Sequence, residues 1–163
     1  MTPFSFMLWK NYIKHNTRDD IHYADCQLVT AINAYYYLTS KIIKQDSDKY
    51  RELAKLSGCI HGSCINITKS YDRLGICVDK EFEWYNMHEY LKSNCFMEVT
   101  VWHKKYGFHS VSIVDYSKKT DCIRVTNFEY ETSLNGWMFF EDFRPFLWSN
   151  NSRGNRIRTF KLK

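Results

Sequence analysis

The sequence predicts an α+β domain in which N-terminal helices and a buried central helix pack on a C-terminal antiparallel sheet. Two observations carry this. Residues 1–94 hold mostly helical hydrophobic patterns, and from Cys95 onward the hydrophobic period changes to two. Helices first and strands afterwards favour helices gathered on hairpins over the strand–helix alternation of a parallel sheet. With 163 residues, 44% of them hydrophobic, the chain suits one domain spanning 1–163 with a sizeable core, which excludes disorder as its overall state.

The elements follow in order. In the first 20 residues Phe4, Phe6 and Leu8 suit a strand, whereas Phe4, Leu8 and Tyr12 suit a helix. Cys26 to Ile43 is apolar nearly all round its first turns, so this helix runs through the middle of the protein, with Asp25 as its N-cap. Asp48 to Leu56 is amphipathic and stops at Gly58; residues 63–74 form a third helix that stops at Gly75. Asn86 with Glu89 reads as a capping box for a short helix ending near Asn94. Phe96–Trp102, Phe108–Tyr116 and Cys122–Phe128 then read as a three-stranded meander. Asn135-Gly136 marks a turn before Trp137–Phe140, and Glu141–Trp148 is a further helical turn or two. The basic tail alternates from Arg156 to Leu162 and reads as an edge strand with a charged outer face.

Several classes are set aside by composition. No apolar run is long enough to span a membrane, and the opening MTPFSFMLWK lacks the pattern of a secretion signal. The net charge of +5 is concentrated in the tail, without the aromatic–basic motifs of nucleic-acid binding. Six cysteines without a secretion signal read as reduced thiols, which points to the cytoplasm. Cys59, His61 and Cys64 could in principle ligate zinc, but their spacing is not that of a zinc finger or ribbon, so no metal is assigned.

Cys26 is the residue that suggests chemistry. It opens the most buried helix, where aligned peptide dipoles favour the thiolate and unpaired first-turn N–H groups can receive an oxyanion. A nucleophilic thiol needs a base and a group that orients the base. His109 heads the strand HSVSIVDY and Asn127 closes CIRVTN. If Tyr116 pairs with Thr120 across a tight turn, His109 stands directly opposite Asn127, close enough for the Asn side chain to hold the imidazole. His103, in the preceding turn, is the competing base. Such chemistry calls for no cofactor.

These residues resemble a family. Asp25-Cys26-Gln27, then His109-Ser110-Val111-Ser112-Ile113-Val114-Asp115-Tyr116, then Val125-Thr126-Asn127 follow the papain-like order of Cys, His and Asn. They are most similar to the peptidases that clip double-glycine bacteriocin leaders and to their stand-alone bacterial and phage-encoded relatives. The resemblance covers about residues 20–148 and implies a papain-like fold, a Cys26-His109-Asn127 triad, a peptide or protein substrate, and an oxyanion site at the Cys26 N–H. The family carries a Gln about six residues before its Cys, where this chain has Asp20. The acceptor at Asp20 keeps open an alternative, a catalytically inactive papain-like domain that binds protein.

Overall fold

A computed structural model describes residues 7–17, 25–59, 64–104, 107–128, 135–147 and 156–163. Three helices come first: α1 (Cys26–Thr39), α2 (Asp48–Ser57) and α3 (Ile67–Leu74). Next come β1 (Ile76–Glu83), α4 (Met87–Leu91), β2 (Met97–His103), β3 (Gly107–Ser117) and β4 (Cys122–Thr126). The chain closes with β5 (Gly136–Phe139), α5 (Phe140–Leu147) and β6 (Arg156–Leu162). Among the described residues the strands form one antiparallel sheet ordered β1-β6-β2-β3-β4-β5. No helix among them is long and apolar enough to cross a membrane.

The sheet has a core on each face. Leu28 and Ile32 of α1 and Leu53 of α2 pack with Phe96, Val114 and Phe160. On the other face Met87, Leu91 and Phe143 pack with Val99, Val111 and Ile113. Full burial of one such side chain contributes about 1.5–3 kcal/mol, so the all-round burial of Leu28, Val29, Ala31 and Ile32 places α1 where the pattern required. Polar contacts set its position on the sheet. Thr30 Oγ1 lies 3.1 Å from Ser110 Oγ, and Asn33 Nδ2 donates to Thr126 Oγ1 at 3.1 Å. Asn33 also pairs with Ile13 as a strand neighbour would, accepting its N–H at 2.8 Å and donating to its carbonyl at 2.9 Å.

Local signals misplace several boundaries. The first helix ends at Thr39, not Ile43, because Thr39 Oγ1 turns back to the Tyr35 carbonyl at 2.7 Å and Ser40 takes a left-handed φ of 64°. Neither Asp25 nor Asn86 caps with its side chain; the Asp25 carboxylate serves the tertiary structure instead. β1 is a strand the periodicity does not announce, since a register shift between Val78 and Lys80 breaks its alternation. Its partner is the basic tail, so β6 lies inside the sheet, between β1 and β2, rather than at an edge.

The cysteines also differ from expectation. Cys59 and Cys64 are disulfide-bonded, with Cα atoms 4.3 Å apart; Cys26, Cys77, Cys95 and Cys122 are free. Gly58, left-handed at φ 68°, turns the chain at the end of α2, and Asn66 N–H returns to the Ser57 carbonyl at 3.0 Å, which brings the two cysteines together. The bridge removes the reduced-thiol argument for a cytoplasmic location. It also occupies both sulfurs of the zinc alternative, whose His61 lies outside the described residues.

One surface cluster tests the β3–β4 turn. Asp121, left-handed at φ 52°, accepts from Tyr116 O–H at 2.8 Å and pairs with His88 Nε2 at 2.8 Å. Partial burial pushes its carboxyl up, but the His88 and Tyr116 hydrogen bonds outweigh that and leave it below its ordinary value. A depressed carboxyl contributes stability above its unfolded pKa, near 4, and loses it as pH falls through the folded value. Asp121→Asn is therefore expected to lower the unfolding free energy by a few tenths of a kcal/mol at pH 6, screened by solvent, and to match the parent chain near pH 2. An equal deficit at both pH values would show that the charge is not responsible.

Candidate active site

The start of α1 is held by the residue before Cys26. Asp25 is fully buried, and its carboxylate accepts from Thr17 N–H at 3.0 Å, from Thr17 Oγ1 at 2.5 Å and from the Tyr50 hydroxyl. One side chain thus ties the N-terminal segment and α2 to the helix that carries Cys26. Cys26 keeps partial exposure, and the backbone N–H groups of Ser110 and Gln27 point at its sulfur.

The thiol does not behave as its helix position alone suggests. Burial pushes it up to about 11; Glu98 and Asp25 add to the rise, and the two N–H groups offset only part of it. Desolvation of the anion outweighs the helix dipole, so the expected thiolate near neutral pH is corrected to a protonated thiol. Alkylation of Cys26 by iodoacetamide is accordingly expected to accelerate about tenfold per pH unit from pH 7 to 10, read by peptide mass spectrometry. A rate already level at pH 7 would contradict this.

His109 stands next to Ser110 at the head of β3, and its Nε2 meets the backbone carbonyl oxygen of Asn127. A carbonyl only accepts, so Nε2 carries a proton, and in the neutral ring the lone pair is then on Nδ1, the nitrogen a base uses. The Asn127 side chain is not the group that holds the ring. Its Nδ2 donates to the Ser110 carbonyl at 3.2 Å and to Asn16 Oδ1 at 3.0 Å. The reason is register. Ser112 pairs with Thr126, a bulge between Ile113 and Asp115 shifts the ladder, and Ser117 pairs with Cys122 across a longer turn. Asn127 therefore falls beyond Thr126, diagonal to His109 and not opposite it. Its left-handed φ of 61°, tolerated by Asn, accompanies the turn of its carbonyl to the imidazole, while its N–H is held by the Lys14 carbonyl at 3.1 Å.

Sequence reasoning missed Glu98, which is 1% exposed on β2 and faces α1. Burial pushes its carboxyl up, while Arg158, Ser110 and Tyr71 pull it down. Tyr71 O–H is 3.4 Å from Oε2 and Arg158 Nη1 is 3.9 Å from Oε1. A charged residue at an inward position of the apolar strand was the available signal. Beside this network a cleft of about 590 Å³ opens, with Gln27, Tyr71, Val78, Glu81 and Arg158 among its walls. Asp20, the residue at the expected oxyanion position, lies outside the described residues. His103, the competing base, ends β2.

No family model and no curated protein matches the chain. Among solved structures it is similar to the peptidase domain of Streptococcus ComA, a bi-functional ABC transporter involved in a quorum-sensing pathway. The likeness covers 93% of this chain and 99% of that one, with a TM-score of 0.62 and 15% identity. Agreement of that extent at so low an identity speaks for the backbone and not for the site. Helices packed on a six-stranded antiparallel sheet give this chain the papain-like fold of that peptidase domain.

Proposed function

We infer that this chain is a cysteine peptidase or related thiol hydrolase. The observation that carries the reading is the His109–Asn127 contact. It sets the imidazole tautomer one residue from Ser110, whose N–H addresses the Cys26 sulfur. In the proposed reaction a peptide lies in the cleft beside Gln27, and Cys26 Sγ attacks the scissile carbonyl carbon. His109 Nδ1 takes the thiol proton as the C–S bond forms, and the Cys26 N–H receives the oxyanion. The protonated imidazole gives its proton to the departing amine, leaving a thioester. Water, deprotonated by His109, hydrolyses the thioester and restores the thiol. The Asn127 carbonyl holds the ring throughout and steadies the imidazolium, the part the sequence assigned to the Asn127 side chain.

Incubation with a mixed peptide library, with products read by mass spectrometry, tests this. Cleavage that disappears in His109→Ala supports it; cleavage unchanged in that variant overturns it. One observation favours a second reading, a papain-like domain that binds peptide without cutting it. The thiol is pushed up to about 11 and so is protonated at neutral pH. Retention of library peptides with no products from the parent chain would select that reading.

A further inference from the structure

At the β4–β5 end of the sheet two cations share a tryptophan. Lys14 Nζ lies 5.1 Å from the Trp9 ring centroid, and the Arg124 guanidinium carbon lies 4.2 Å from the same centroid. The guanidinium is also 5.6 Å from the ring of Trp137, its cross-strand partner. Lys14 Nζ donates to the Tyr12 carbonyl at 3.0 Å, a neutral acceptor. Arg124 Nε is buried without a hydrogen-bond partner among the described residues. Among them, too, no carboxylate lies within ion-pair distance of either cation. Asp115, opposite Arg124 on β3, has Oδ1 engaged by the Tyr116 N–H at 2.8 Å.

Two like charges over one indole, partly desolvated and without a counter-ion among the described residues, repel each other. Burial and Arg124 accordingly hold Lys14 below its ordinary value. Indole faces attract each cation but do not neutralise it. Beside the pair, Trp137 is 49% and Phe139 58% exposed, and as i and i+2 on β5 they share one side of the strand.

We propose that Trp9, Lys14, Arg124 and Trp137 form a binding site for an oxyanion, a carboxylate or a phosphate, carried next to a flat apolar group. The anion takes charge-assisted hydrogen bonds from Lys14 and Arg124 and relieves their repulsion, while the flat group covers the exposed face of Trp137. Neither Cys26 nor His109 takes part, so the site stands whether or not the chain is a hydrolase.

The full chain is titrated at low salt with benzoate, phenyl phosphate and neutral benzamide, read by the indole N–H resonance of Trp137 and by tryptophan fluorescence. Both oxyanions are expected to bind at least about tenfold more tightly than benzamide and to weaken in 0.5 M salt. The tighter of the two identifies the source as carboxylate or phosphate. Arg124→Gln should weaken both about tenfold. Trp137→Leu, at a half-exposed position that leaves the core intact, should weaken both several-fold by removing the stacking face. Benzamide binding as tightly as benzoate and phenyl phosphate, no binding of either oxyanion, or undiminished binding in folded Arg124→Gln or Trp137→Leu overturns the site.

Discussion

Replacing Cys26 by Ala is expected to reduce peptide cleavage by at least about 10⁴-fold, to the background of the buffer, because no other group takes over the covalent step. The fold should survive. The substitution removes one sulfur, at a residue that is partly exposed as a whole, whose donors, the Ser110 and Gln27 N–H groups, gave it only weak hydrogen bonds. Stability in urea should change by less than about 1 kcal/mol. Cys122→Ala is the matched control, a free and partly exposed thiol on β4 that does not line the cleft, and should cut as the parent does. Cleavage that persists in Cys26→Ala would exclude Cys26 as nucleophile, whatever the fold.

Asp25→Ala should cost about 3–5 kcal/mol. It leaves Tyr50 O–H, Thr17 N–H and Thr17 Oγ1 without their acceptor in a fully buried site. For a chain of this length that is a fall in melting temperature of roughly 6–20 °C. Asp25→Asn keeps the shape and one acceptor oxygen, so it should cost less. It also removes a negative charge that raises the neighbouring thiol, so Cys26 in this variant should alkylate faster at a given pH. A loss below about 1 kcal/mol in Asp25→Ala would show that the carboxylate does not clamp the start of α1.

Ser110 explains why the site was only half legible. Cys26 and His109 stood out because a thiol at a helix start and an imidazole at a strand head are marked by local pattern. What lies between them is not marked. Ser110 directs its N–H to Cys26, its carbonyl to Asn127 and its hydroxyl to Thr30, contacts that depend on how α1 lies across β3. Glu98 and Asp25 tune the thiol from within the core, at distances along the chain that no spacing rule connects.

By itself the sequence determined the helices ending at Gly58 and Gly75, the buried run of α1 and the meander of β2 to β4. Periodicity and stop residues act over a few positions, and the chain carries them whole. Tertiary structure decided the rest. The bulge in β1 hid a strand whose partner is β6, nearly the whole second half of the chain away. The bulge in β3 and the left-handed Asp121 moved the β3–β4 register, so that His109 meets the Asn127 carbonyl and not its amide. The disulfide follows from the turn that joins α2 to α3. The protonated state of Cys26 follows from how deeply the packed chain desolvates it, a collective property of residues far apart in sequence.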